Sequence, residues 1–394
     1  MKKSKTRKKI FALLLLFLLT VLLFCGAGEP SSPKEEGMRE LESNIEDLIG
    51  ALDTQELQAY LDTLAEFKGI SLKDRLKNMI SGDYVLDYSS LGQALLGQVW
   101  EEIAVFLPAF AVILAISLLC GILTSAKNGF LNSTMSDIIS FVGYISVGTI
   151  VLSCLISVIS VGFSAIESMR RQMELVYPIL LTLMAASGAS VSAAVFRPAV
   201  AFMSGGICEL FTSVVLPTSV VVIVLAFVGN LSDSVRTEKL GDFFKSISKW
   251  LIGLSLGLFS LFLTVQGISS AQYDGVSLRA IKYVISGSVP VVGGFLSGGV
   301  ELVAAGSALI KNALGAFAVF LLVGAVLRPL LIFAALQLFL RLSAAVTEPI
   351  GGKIPTFLSR LATDSGYFIA GLLSIAFLYF LTLLLLVCSS GVLF

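Results

Sequence analysis

From Glu101 to the carboxyl end, apolar runs follow one another with short polar interruptions. The runs are Ile103 to Ala126, Ile138 to Phe163, Pro178 to Phe196, Ala199 to Leu231, Trp250 to Ala271, Val284 to Ile310, Ala313 to Leu340 and Tyr367 to Cys388. Stretches of about 20 apolar residues are what an α-helix needs to cross a bilayer, so the pattern predicts an all-α, polytopic membrane domain over residues 99–394. Two runs are long enough to divide, at Pro217 and at Arg328-Pro329. The resulting range is about seven to ten spans.

Ahead of these runs the periodicity is different. "MKKSKTRKK" followed by the fifteen apolar residues "IFALLLLFLLTVLLF" has the basic start and short apolar core of a signal peptide over residues 1–27. A retained signal anchor is the rival reading. Met38, Leu41, Ile45, Leu48 and Leu52, then Leu57, Leu61 and Leu64, recur at helical spacing. "DTQE" at Asp53 and "SLKD" at Ser71 have the form of capping boxes. Residues 28–98 therefore read as an extracytoplasmic domain of short amphipathic helices with a marginal core, which either leans on the membrane domain or on a partner, or is a self-contained solvated bundle with no binding role.

Charge sharpens this division. Of the 27 acidic residues, 14 lie between Glu29 and Asp87, against six basic ones there. Basic loops mark the cytoplasmic side, which places Lys127, the Arg236 to Lys249 loop and the Arg341 to Arg360 loop inside, with the carboxyl terminus outside. Within "RTEKLGDFFKSISKW", Leu240, Phe243, Phe244, Ile247 and Trp250 share one helical face. That face suits a helix lying in the membrane interface, or else a docking surface for a cytoplasmic partner.

At 56% hydrophobic and 14% charged, the chain cannot cover itself with polar groups as a soluble domain does. It contains no histidine, which removes histidine-based zinc, triad and proton-relay chemistry. The five cysteines, Cys25, Cys120, Cys154, Cys208 and Cys388, are dispersed in apolar runs without CxxC spacing and read as small hydrophobes. "GGKIPT" at Gly351 lacks the hydroxyl that follows the lysine of a phosphate loop. No cofactor, metal or catalytic residue is expected, and the chain reads as a non-enzyme.

Candidate chemistry is confined to glycine-rich segments that end in a carboxylate. "VPVVGGFLSGGVE" carries Pro290, Gly293, Gly294, Gly298, Gly299 and Glu301; "FMSGGICE" carries Gly205, Gly206 and Glu209. Glycines four apart let helices approach closely, and that accounts for the glycines. A carboxylate near the bilayer centre costs roughly 2.5–3.5 kcal/mol, which points to a conduit unless the carboxylate sits at a membrane face. Lys311, ten residues beyond Glu301, is about 15 Å away along a straight helix, too far for a direct pair. Arg197 and Arg328 each precede a proline; they either snorkel to the headgroups or provide counter-charges to Glu209 and Glu301. With both long runs divided, the two glycine segments run in opposite directions, as in inverted-repeat transporters.

The signal peptide, the acidic helical segment and the polytopic domain, with "DGVSLRA" at Asp274, "VPVVGG" at Val289 and "LIKNALG" at Leu309, together resemble the stage III sporulation protein AE family. The resemblance implies a multi-pass subunit of the channel or secretion apparatus linking mother cell and forespore. It further implies a place in the mother-cell-derived outer forespore membrane and a requirement in late forespore development. The partners it implies are other stage III A proteins, including a secretion-type ATPase, and the forespore protein Q across the intermembrane space; nucleic acid is not among them. A multi-pass scaffold that assembles partners without forming a conduit is the alternative.

Overall fold

A computed structural model describes residues 44–64, 71–81, 88–125, 133–231, 237–288, 293–350 and 353–389. The proposed signal peptide lies outside them. The described residues contain helices and no strands. Three short helices come first: α1 over residues 44–51, α2 (Gln55–Thr63) and α3 (Leu72–Ile80). The long helices are α4 (Tyr88–Ser125), α5 (Ser133–Ala186), α6 running from Ser190 to Leu231, α7 (Glu238–Ser288) and α8 (Gly293–Thr347). The chain ends in α9 (Ile354–Asp364) and α10 (Gly366–Cys388).

Among the described residues, six helical stretches are long and apolar enough to cross a membrane, beginning at Ile103, Asp137, Ser190, Glu238, Leu302 and Ile354. This is fewer than the count of apolar runs, because single helices carry two runs each. α5 unites Ile138 to Phe163 with Pro178 to Phe196 as far as Ala186, and α8 continues through Pro329. Prolines 108, 178 and 198 also sit inside helices. Neighbouring helices tolerate such breaks in membrane helices.

Contacts fix the direction of every long helix. Tyr144 donates to the carbonyl of Phe227 at 2.8 Å, so α5 and α6 are antiparallel about the turn at Gly188, where φ is +94°. The Thr237 hydroxyl donates to the carbonyl of Leu225 at 2.8 Å, reversing the chain again into α7. Phe163 and Tyr177 of α5 meet Phe368 and Tyr379 of α10, so these two are parallel. Gly366 of α10 lies against Gln337 of α8, and Lys311 of α8 donates to the Ser389 carbonyl, so α8 is antiparallel to both. α6 and α8 consequently run the same way. The opposite orientation expected of the two glycine segments is not found, because α6 is one continuous helix and only α7 separates it from α8.

The helices are much longer than a bilayer is thick. α5 has 54 residues, about 80 Å at helical rise, against a hydrocarbon core of about 30 Å. Large exposed apolar side chains mark which part meets lipid. They are densest from Val105 to Leu123 on α4, Ile138 to Ile156 on α5, Val214 to Val224 on α6 and Leu338 to Val346 on α8, and Phe202 of α6 and Val303 and Leu309 of α8 are exposed outside these strips. On α4 and α5 the strip is about 27 Å tall by the same rise, a match to the bilayer core. On α7 it is longer, from Leu240 to Val265. Trp100, exposed at the end of the α4 strip, suits the aromatic belt of an interface.

The ends of α7, α8 and α9 that meet form a basic end, with Lys239, Lys245, Lys249, Arg341, Lys353 and Arg360, some of them within the apolar strips of α7 and α8. The segment from Glu238 to Trp250 belongs to this end. It is the first part of α7 rather than a separate interfacial helix, because the α-helix continues unbroken to Ser288. Lys245 meets Asp364 of α9 at 2.9 Å, with side chains only 15% and 4% exposed, and Arg360 donates to Glu238 at 3.0 Å. These pairs tie α9 to α7.

Above the belt the bundle continues as a projecting half. The short helices pack on it: Tyr60 of α2 lies 3.0 Å from Ser168 and accepts from Gln172 at 3.2 Å. Leu48 lies against Gly306, and Arg75 sits over the Phe317 ring. The short helices thus pack against the long ones. Their caps differ from expectation. Thr54 rather than Asp53 occupies the N-cap of α2, and Ser71 is the N-cap of α3 without a side-chain cap bond. The Leu72 amide instead donates to Gln58 at 2.7 Å.

Three outcomes follow from this packing. Gly162 of α5 faces Phe368, whose ring occupies the space a Cβ would fill; Gly162→Leu should lower stability by about 1–3 kcal/mol through overpacking, read as a drop in the melting temperature of detergent-purified protein. Lys245→Ala or Asp364→Ala leaves a buried charge alone and should cost about 3–5 kcal/mol, whereas Lys245→Met with Asp364→Leu should recover most of that; the same melting measurement compares them. Lys77 of α3 hydrogen-bonds Glu46 of α1 and holds its carboxyl below the ordinary value of 4.5. This clamp is present above that value and is lost as pH falls through the lowered one. Protection of α1 and α3 against hydrogen exchange, taken relative to the intrinsic rate at each pH, should therefore fall on acidification, and Glu46→Gln should show the lower protection already at neutral pH.

Candidate functional site

Glu209 is part of an unusual stretch of backbone. α6 is α-helical over Ser190–Ala201, π-helical over Phe202–Ile207, α-helical for Cys208–Leu210, π-helical again over Phe211–Val215, and α-helical from Leu216. Glu209 thus stands between two π segments, a form of helix distortion frequent at functional sites. Local sequence explains it. Pro198 removes one amide ahead of the first segment, Gly205 and Gly206 weaken the helix within it, and Pro217 removes another amide after the second. The Thr212 hydroxyl donates to the carbonyls of Cys208 and Glu209, at 3.0 and 3.2 Å, so it satisfies acceptors that the irregular ladder leaves weak.

The carboxylate of Glu209 is 62% exposed. One oxygen accepts from Ser213, and the other lies 3.8 Å from Arg170 of α5. Arg170 donates to Glu174 at 3.1 Å and stands 3.9 Å from Glu167. Together these groups form a charged seam along the α5–α6 pair, just beyond the apolar belt. Exposed ion pairs of this kind contribute about 0–1 kcal/mol, too little for folding stability to be the reason for them.

Glu209 stands open at the surface of the bundle, with Ser213 and Arg170 as its partners. Its partner, Arg170, was not among the expected counter-charges, although Glu167, Arg170, Arg171 and Glu174 follow the i, i+3, i+4, i+7 spacing of one helix face. Arg197 is exposed toward the Ser190 end of α6, and Arg328 is exposed on α8. Snorkelling is compatible with Arg328, which lies close above the belt. For Glu209, Arg197 does not serve as counter-charge; Arg170 does.

The remaining candidates do not converge on the seam. Gly206 is exposed, and a Cβ there would meet the Phe202 ring at 2.8 Å; Gly205 has open space around it. Their expected role in close helix packing therefore finds no neighbour helix within this chain among the described residues. Gly293, Gly294, Gly298, Gly299 and Glu301 lie in the first turns of α8, and Pro290 falls outside the described residues. Leu338, in the belt, is 37 residues beyond Glu301 on that same helix, a separation of about 55 Å. Lys311 is fully buried in the projecting half and donates to the Ser389 carbonyl at 3.3 Å, at the end of α10. There it compensates the negative end of a helix dipole.

A second polar cluster, at the basic end, joins Lys245, Asp364, Arg360 and Glu238 around a small cavity that also touches Thr237 and Gly241. Sequence reading missed it because Asp364 reads as an ordinary residue at the end of a helix. Among the described residues, no group of three or more acidic or cysteine side chains could hold a metal ion.

Comparison with known proteins gives this architecture its context. No solved structure matches the chain. A curated protein, "Stage III sporulation protein AE" of Bacillus subtilis (strain 168), is 25% identical over 385 residues, covering 95% of this chain and 96% of that protein. The family model described as stage III sporulation protein AE matches residues 70–391, from the end of the small helical domain through all the spanning helices. The chain thus belongs to the stage III sporulation protein AE family.

Proposed function

We propose that this protein is a membrane subunit of the channel or secretion complex that links mother cell and forespore, and that it acts through the outer surface of its projecting half. In this reading it resides in the mother-cell-derived outer forespore membrane and is needed for late forespore development. The basic end faces the mother-cell cytoplasm, in keeping with the positive-inside rule. The projecting half and its short helices then stand in the intermembrane space, where the forespore protein Q and other stage III A proteins would meet them. Energy comes from a secretion-type ATPase partner, and this subunit performs no reaction of its own.

One observation carries the surface-based reading. The bundle interior is filled by large side chains, with Tyr177, Tyr379, Phe196, Phe211, Phe317, Phe333, Phe357 and Phe368 all fully buried. Such packing leaves little void space, so a passage is supported only around or between subunits, where the exposed charges lie. An assembly platform that conducts nothing shares this feature. The carboxylates separate the two readings: a polar path needs their charge, whereas a platform held by shape does not.

The Glu209→Gln, Glu301→Gln double variant should lower spore yield while its membrane level equals that of wild type, measured by heat-resistant spore counts alongside immunoblotting. Full spore yield from this variant would remove the conduit role and leave the platform.

A further inference from the structure

The exposed face of the α5–α6 pair in the projecting half differs from the rest of the surface. On α6 it presents Ala194, Arg197, Ala201, Gly206, Glu209 and Ser213; on α5 it presents Glu167, Arg171, Glu174, Pro178 and Thr182. Phe202 is the sole large apolar side chain exposed there. Small residues of this kind let a second backbone come close. They do not suit lipid, which the belt meets with Leu, Ile, Val and Phe.

The charges on this face are balanced: Arg170, Arg171 and Arg197 against Glu167, Glu174 and Glu209. Arg170 is used within the chain. Among the described residues, no ion pair reaches Arg171 or Arg197. A neutral face made of both signs repels neither another copy of itself nor its mirror arrangement, and it is complementary only where opposite charges fall at matching positions.

The membrane imposes that matching. Copies embedded in one bilayer share the direction of its normal, so residues at one height in one copy face residues at that same height in the next. Arg170 and Glu209 touch within the chain and therefore share a height. Arg171, the next residue, points outward from α5 at that level while Glu209 points outward from α6. In an isologous pair about an axis along the membrane normal, Arg171 of each copy meets Glu209 of the other, and the small residues of α6 lie against α5 of the partner. We infer that the α5–α6 face of the projecting half is an interface between two copies of this chain, sealed by reciprocal Arg171–Glu209 pairs. This goes beyond the proposed role in the complex and does not depend on whether a conduit exists.

The test uses full-length protein in lipid nanodiscs and in membranes. In a background with the native cysteines replaced by alanine, Arg171→Cys and Glu209→Cys are placed on separately tagged copies and co-expressed. Mild oxidation should give a disulfide-linked product that carries both tags, and neither variant expressed alone should match its yield. Independently, Arg171→Glu and Glu209→Lys should each shift wild-type dimers toward monomers by mass photometry, and the double charge reversal should restore dimers. Chains that remain monomeric, or a dimer indifferent to both reversals, overturn the proposal. So does cross-linking of either cysteine solely to a different protein.

Discussion

Helix length set against bilayer thickness governs this molecule. Helices such as α5, at 54 residues, cannot fit within about 30 Å of hydrocarbon, and a steep tilt would be needed to hide even half of the excess. The exposed apolar side chains are densest on α4, on the first part of α5 and on α7, with Phe202, Val303 and Leu309 exposed outside those strips, and the length in excess of the hydrocarbon core belongs to the upper part of the bundle. Everything that distinguishes the surface, from the π-helical stretch to the charged seam and the docked short helices, lies at or beyond the edge of those strips.

The consequence for charge is direct. A carboxylate in hydrocarbon must be sheltered at a cost of kilocalories; one beyond the headgroups needs no shelter and can serve recognition. Glu209 has the openness that recognition needs, accepting from Ser213 and facing Arg170 with most of its side chain exposed. The charged groups that are buried have structural partners. Lys311 ends at a helix carbonyl, and Asp364 is joined to Lys245. The first closes the top of α10 and the second fixes α9 at the basic end, so the two ends of the packed core are held by polar contacts while its middle is held by rings.

Much of this was legible in the chain. Apolar runs, basic loops and the helical spacing of Ile45, Leu48, Leu57 and Leu61 gave the class, the two ends and the small domain. The number of spans was not, because Phe163 to Pro178 holds four charged residues and looks like a loop. Glu167, Arg170, Arg171 and Glu174 in fact decorate one side of an unbroken helix whose other side, with Ile166, Met169, Met173 and Val176, is buried. A run of charges reads as an interruption only when the residues between them are ignored. The inverted orientation of the two glycine segments has a different source, the division of the Ala199 to Leu231 run at Pro217: with α6 continuous through that proline, the segments fall on parallel helices. Pairs such as Lys245–Asp364, more than a hundred residues apart in sequence, leave no local signal at all.

The central claim is that the upper half of the bundle stands outside the lipid. Single cysteines at Ser190 and Asn312, both exposed in that half, and at Ile156 and Leu338, exposed in the belt, can be labelled with a membrane-impermeant maleimide in intact protoplasts of a strain expressing the native-cysteine-free protein. Rapid labelling of the Ser190→Cys and Asn312→Cys variants with none at Ile156→Cys and Leu338→Cys is the predicted result. Protection of the first two together with reaction at the belt positions would contradict it.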